Sequence, residues 1–300
     1  MSLQPVLDSV PELRNAQHVE PLPGGLTNTN YKVVTPDGSY VIRISHKDSS
    51  LLAIDRDNEL HNTIAAAEAG VGAPFVAALP EHDALVIGFL EGRALTPSDL
   101  RDRDGLLPLV ASACRRLHAA RPFLHDFDMF QMQRRYLAVV QERGFQLPHR
   151  YLDFEPQVRA IEEAMRFRAE PTVPCNNDLL AENFIDVGGE LKLIDYEYSG
   201  NNDACFELGN ICSESNLTRA QLEELVTLYY GAVLHNKIAR AWLWGLVAKY
   251  GWMLWASIQD GLSELEFDFW SWGMEKYERA VAEFDGPDFE RMLSEVQKED

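Results

Sequence analysis

Residues 174–200 read PCNNDLLAENFIDVGGELKLIDYEYSG, and the reading of this stretch decides the fold. Gly188-Gly189 sits between alternating apolar runs, the signature of a two-residue type I′ hairpin loop whose central residues both need positive φ. Such a loop pairs Val187 with Glu190, then residue 185 with 192, and 183 with 194. Asn183 therefore lands beside Ile194 and next to Asp195. An amide oxygen and a carboxylate side by side are two hard oxygen ligands. That set suits Mg²⁺, which keeps several waters and takes the rest of its shell from substrate phosphates. Asp178 opens the same loop without ligand spacing to either residue and is placed to accept a proton. An Asp that deprotonates a hydroxyl, an Asn five residues later and a hairpin-borne Asp are the working parts of a phosphoryl-transfer loop. D-x4-N alone is common in solvated loops; the hairpin and the strand end IDYE lift it above that background.

CNNDLLAENF followed by LIDYEYSG resembles the choline/ethanolamine kinase branch of the aminoglycoside-phosphotransferase-like kinases. The resemblance implies an α+β, protein-kinase-like bilobal fold. A small antiparallel-sheet lobe, residues 1–91, would bind ATP, and a larger, mainly helical lobe, residues 92–300, would carry catalysis and substrate. Two positions depart from the family pattern. Asn176 stands where the family has His two residues before the catalytic Asp, and Glu207 stands where it has an Asp that ties its helix to the catalytic loop. Asn still offers a donor and an acceptor.

With 300 residues, 46% hydrophobic and 25% charged, the chain is long enough to bury a large core, and disorder is not indicated. The net charge of −20 argues against a nucleic-acid partner, which needs clustered Lys and Arg. It fits a small cationic substrate. Cys114, Cys175, Cys205 and Cys212 show no C-x-x-C pair, so reduced, buried thiols in a cytoplasmic protein are expected. The N-terminal stretch MSLQPVLDSVPEL has no export pattern. AWLWGLVAKYGWMLWASI, residues 241–258, approaches the length of a membrane span, but Lys249 at its centre favours a buried helix. His118 and His125 lack metal spacing and read as solvated or satisfied.

Upstream, LPGGLTNTNYKVVTPDGSYVIRIS contains a glycine turn, an alternating run, a Pro36-Asp37-Gly38 turn and a second alternating run. Gly24 and Gly25 allow close backbone approach, while Thr27 and Asn28 supply short donors able to cover phosphates. Alone this is an ordinary turn; kinases of the resembled family carry such a loop here. Along the second run Tyr40, Ile42 and Ile44 face one side, and Val41 and Arg43 the other. The resemblance makes Arg43 the phosphate-contacting cation, paired with Glu59 of the following helix, with Lys47 as the competing cation. Phe89 and Leu90, at the end of a further strand, are the expected adenine-contacting hinge.

All six tryptophans lie between Trp242 and Trp272. Trp252 and Trp255 are three apart on a helix, hence on one face, with Trp244 roughly on it two turns earlier. Such clusters are usually core. GWMLWASIQ and EFDFWSW, however, are similar to segments that line the choline site in choline kinases, which makes Trp252, Trp255 and Trp272 an aromatic wall for a quaternary ammonium. The resemblance runs from the glycine loop to about residue 280. The expected reaction is Mg²⁺-dependent transfer of the ATP γ-phosphoryl group to choline. Asp178 serves as base, Asn183 and Asp195 bind metal, and Glu197 either reaches a second metal or forms a strand-end salt bridge. The rivals are a kinase for ethanolamine, an aminoglycoside or a thiamine-like alcohol, and a catalytically silent kinase-like protein. A homodimer is compatible with the sequence.

Overall fold

The computed structural model describes residues 3–45 and 49–299, so Lys47 lies outside the described residues. Helix α1 (Gln4–Ser9) leads into an antiparallel sheet of β1 (His18–Leu22), β2 (Asn28–Thr35), β3 (Gly38–Ser45), β4 (Phe75–Leu79) and β5 (Ala84–Gly88), in the order β1-β2-β3-β5-β4. The period-two alternation puts Val33, Ile42, Ile44 and Val86 on one face, where they form a small core with Val6, Val10 and Leu13. Arg43 points away from that core. Helix α2 (Arg56–Glu68) is capped by Asp55, whose carboxylate accepts from the backbone N–H of Asp57 and Asn58. Its Ala65 and Ala66 belong to the second, larger hydrophobic core.

Two-residue strand β6 (Arg93–Ala94) follows β5 and pairs with β8 (Phe184–Asp186), which pairs with β9 (Leu191–Leu193). Gly92 makes this junction possible, because a Cβ there would lie 2.5 Å from the carbonyl oxygen of Asp186. The β8–β9 hairpin has the register its Gly-Gly loop dictates. Phe184 pairs with Leu193 and Ile185 with Lys192, and both glycines have φ of +95°. The Asp186 carboxylate accepts from both glycine N–H groups and fixes the turn. A separate pair joins β7 (Thr172–Cys175) to β10 (Gly200–Asp203), so the loop after β7 and the strand end IDYE are held between two short ladders.

The rest is helical: α3 (Pro97–Asp102), α4 (Leu106–His118), α5 (Met129–Arg143), α6 (Glu155–Phe167), α7 (Ala204–Glu214), α8 (Arg219–Tyr230), α9 (His235–Leu262), α10 (Phe269–Phe284) and α11 (Phe289–Glu295). Thr218 and Gln221 form the capping box that starts α8. Helix α9 runs 28 residues through the larger core, against α5, α7 and α10. It is buried on nearly all sides, which explains its uniformly apolar composition. No described helix is long and apolar enough to cross a membrane. All four cysteines are free and buried.

Candidate active site

The loop after β7 is held from below by α7. The two carboxylate oxygens of Glu207 accept the backbone N–H groups of Asn176, at 2.9 Å, and Asn177, at 2.8 Å. A glutamate thus performs the tie that the resembled family assigns to a shorter acid. Asn176 crosses to the hairpin. Its amide donates to the carbonyls of Ile194, at 3.2 Å, and Asp195, at 2.8 Å, while its oxygen accepts the Asp178 N–H at 3.1 Å. One donor and one acceptor therefore suffice to lock both halves of the site together. Asn177 and Asp195 sit at φ of +67° and +64°, left-handed conformations that cost free energy outside glycine and concentrate at functional sites. Asn183 donates its amide to the carbonyl of Asp178 at 2.7 Å, which commits the nitrogen and leaves the oxygen for the cavity that Asn183 lines.

Above this loop lies a buried cluster of ions. Arg43 Nη2 meets Asp195 Oδ1 at 2.7 Å, Glu197 Oε1 at 3.1 Å and Glu59 Oε1 at 3.4 Å. The predicted pairing with Glu59 is present, but Asp195 is the closer partner. Arg56, one turn before Glu59 on α2, bridges Glu59 Oε2 at 2.6 Å and Glu197 Oε1 at 2.5 Å. Glu197 also accepts from the Thr27 hydroxyl at 2.5 Å and the Asn28 amide at 2.7 Å. Burial works against a charged Glu197, but Arg43, Arg56 and the Thr27 hydroxyl hold its carboxyl down at about 2. Of the two roles open to Glu197, the salt bridge is the one these contacts describe. It fastens the glycine loop and both arginines to the hairpin, and Asn58 of α2 adds a bond to the Ser199 carbonyl at 2.7 Å.

A cavity of about 260 Å³ joins the expected parts: Gly24, Gly25 and Thr27 on one wall, Asp178, Asn183, Asp195 and Glu197 on another, and Trp252, Trp255 and Trp272 on a third. The Trp255 indole N–H donates to the Tyr198 hydroxyl at 2.8 Å, and that of Trp252 to the Asn210 amide oxygen at 3.1 Å. The Trp255 and Trp272 rings meet edge to face at 5.6 Å. With the N–H groups of Trp252 and Trp255 satisfied, their ring surfaces are the remaining recognition element. Trp244 is elsewhere, bonded to Asp203 and packed on Phe130 and Phe206. By angle it keeps to the predicted face, about 80° from Trp252 and about 20° from Trp255, but it lies eight residues, about 12 Å, back along the helix axis from Trp252 and so meets other partners. Phe89 and Leu90 do not line this cavity, and Phe89 instead lies under the Lys32 ammonium, 3.7 Å from the ring centroid.

Several residues of the site were not singled out from sequence. Tyr198 and Glu214 line the cavity, and Arg56 and Lys276 stand behind it as the partners of Glu197 and Glu214; all four come into play only through contacts made across the fold. Glu214, at the end of α7, lines the cavity with Oε1 buried and without a hydrogen-bond partner among the described residues. Its other oxygen pairs with the Lys276 ammonium, which lies 4.0 Å from the centroid of Trp272. Burial first, then the charges of Asp195, Glu214 and Glu197, push the half-buried Asp178 carboxyl well above the usual range, against the pull of Lys276. The cavity therefore carries a surplus of negative charge, which suits a cation. Asn183 and Asp195 fit a hard metal ion on chemistry, since Arg43 takes Asp195 Oδ1 and leaves Oδ2. His118 is a satisfied histidine: Nδ1 is 2.7 Å from the Tyr229 hydroxyl, while Nε2 faces Cys175 and Glu207 at 3.6 Å.

A five-stranded antiparallel lobe against a helical lobe, with the loop and hairpin between them, is the protein-kinase-like arrangement. The choline/ethanolamine kinase family model matches residues 19–227, and the chain belongs to that family. Human ethanolamine kinase 2 is 27% identical over 259 residues, covering 76% of this chain and 65% of that protein. The chain thus spans a little under two thirds of that relative's length. The crystal structure of a choline/ethanolamine kinase family protein from Mesorhizobium loti superposes with a TM-score of 0.87 at 28% identity, covering 98% of this chain and 97% of that one. Choline kinase LicA from Streptococcus pneumoniae gives 0.79 at 25% identity, covering 97% of this chain and 98% of that one.

Proposed function

We propose that the chain transfers the γ-phosphoryl group of ATP to the hydroxyl of choline. The observation that carries this reading is the shared cavity: a carboxylate fit to take a hydroxyl proton, Asp178, opens onto the same space as three tryptophans. Asp178 accepts the proton as the hydroxyl oxygen attacks phosphorus. Asn183 and Asp195 would hold Mg²⁺, which would supply positive charge to offset that of the phosphates. Arg43 presents a fixed guanidinium beside the metal ligand, where it can meet phosphate oxygens as well as Asp195. Glu197 keeps the glycine loop closed over that region through Thr27 and Asn28. The tryptophan wall recognises a diffuse positive charge that cannot donate a hydrogen bond.

A second reading, ethanolamine as acceptor, has its own observation. Glu214 Oε1 is buried on the cavity without a donor among the described residues, and a primary ammonium has N–H groups to give it where a quaternary one has none. Phosphorylated-product formation across ethanolamine, its mono- and dimethyl derivatives and choline separates the two. A kcat/KM that rises with each methyl group supports choline, and one that falls supports ethanolamine. No turnover of any member would defeat both.

A further inference from the structure

A second cavity, of about 550 Å³, opens between α7, α8, α9 and α10 and shares no lining residue with the active-site cavity. Its charged lining is Arg219, Lys249 and Arg279 against Glu275 and Glu283, a surplus of one positive charge in a chain whose net charge is −20. Lys249 is the ammonium that interrupts the apolar run of α9. It is buried, 6% exposed, and donates to Glu283 Oε1 at 2.6 Å. A charge in the middle of a core helix is expensive unless something there uses it.

Three polar atoms of this lining are buried without a hydrogen-bond partner among the described residues: Ser213 Oγ, Arg279 Nε and Glu283 Oε2. Ser213 is 5% exposed, and its hydroxyl oxygen is itself buried. Two of the three are donors and one is a carboxylate acceptor. Thr218 and Arg219, at the start of α8, also line the space, so the positive end of that helix dipole adds to the donors.

We propose that this cavity binds a small zwitterion. The anionic head, a phosphate monoester or a carboxylate, takes the Ser213 hydroxyl and Arg279 Nε–H, and an ammonium at the other end gives its hydrogens to Glu283 Oε2. Occupancy bears on the first cavity through one covalent neighbour and one turn of helix. Ser213 precedes Glu214, and Arg279 lies one turn beyond Lys276, the partner of Glu214. That coupling, though not the site itself, rests on the reading of the first cavity as the amino-alcohol site.

Calorimetric titration of the full chain tests the site, with O-phosphoethanolamine, β-alanine, inorganic phosphate and ethanolamine as probes. The first two distinguish phosphate from carboxylate as the head, and the last two measure each half alone. At least one zwitterion should bind more tightly than either half, and should still bind to Trp252→Leu, in which the active-site cavity is damaged. Ser213→Ala removes one hydroxyl and no existing side-chain bond, so it should leave the melting temperature unchanged or raised while weakening the zwitterion roughly ten-fold. Glu283→Gln should weaken it similarly, as the charge-assisted bond is lost. Binding of neither zwitterion at millimolar concentration, meaning water alone fills the cavity, overturns the proposal. So does binding that Trp252→Leu abolishes and Ser213→Ala leaves intact. Turnover of the amino alcohols is scored separately, so the two readings fail independently.

Discussion

Glu197→Gln should lower stability and loosen the glycine loop at once. The carboxylate accepts from Thr27, Asn28 and Arg56 at 2.5 to 2.7 Å and faces Arg43 at 3.1 Å. Glutamine keeps one acceptor oxygen and turns an N–H₂ toward donors, leaving the buried Arg43 and the half-buried Arg56 short of a counter-charge. Removing one partner of a buried ion pair costs about 3–5 kcal/mol. Arg56 is 30% exposed, so water recovers part of that, and about 2–4 kcal/mol is the working range. An unfolding entropy of about 2.1 cal/mol/K per residue makes 3 kcal/mol roughly 5 °C in a chain this long. Calorimetry at neutral pH should show that drop, and the KM for ATP should rise as Thr27 and Asn28 lose their anchor. The effect has a defined pH dependence. Because Glu197 is held at about 2 against an ordinary 4.5, its contribution is complete above 4.5 and is lost as pH falls toward 2. The gap in melting temperature between wild type and variant should narrow over that interval. A variant that melts within about 1 °C of wild type at neutral pH, with an unchanged KM for ATP, would refute the reasoning.

Asp178→Asn should cut turnover by roughly 10²- to 10⁴-fold while leaving nucleotide affinity near wild type, since it removes a proton acceptor and no phosphate contact; retention of a tenth of the rate would remove Asp178 from the mechanism. Asp195→Ala should abolish the Mg²⁺ dependence of ATP binding together with turnover, which a metal titration followed by calorimetry checks. Glu207→Ala strips acceptors from two buried N–H groups and should cost about 2–5 kcal/mol, read by denaturant unfolding, whereas Glu207→Asp should recover part of that. Trp252→Leu should weaken choline by about 2- to 30-fold and its uncharged isostere 3,3-dimethylbutan-1-ol much less. Equal losses for both alcohols, with a large fall in melting temperature, would return Trp252 to the core.

What the sequence disclosed was local. The Gly-Gly loop set the hairpin register, because both residues must adopt positive φ, and the register alone carried Asn183 to Asp195. The alternation in β3 placed Arg43 opposite the small core for the same reason. Residues whose significance arises from distant chain segments stayed hidden. Arg56 looked like any residue in the first turn of a helix until Glu197, 141 positions away, came to meet it. Glu214 and Lys276 are 62 positions apart and become a pair only where α7 and α10 converge. Strand β1 was missed, since Pro21 and the exposed His18 and Glu20 break the apolar pattern of an edge strand. At the two departures from the family pattern, the Asn176 amide joins the loop to the hairpin and the longer Glu207 ties α7 to the loop, contacts that the sequence alone did not disclose.

The central claim is that Asp178 directs phosphoryl transfer from ATP to a small amino alcohol. Phosphorus NMR of wild type and Asp178→Asn, each incubated with ATP, Mg²⁺ and either choline or ethanolamine, tests it most directly. A phosphomonoester resonance should grow in step with ADP for wild type, be absent without the alcohol, and be suppressed at least a hundred-fold in the variant. ADP formed without a phosphomonoester, or product formed equally by the variant, would contradict the claim.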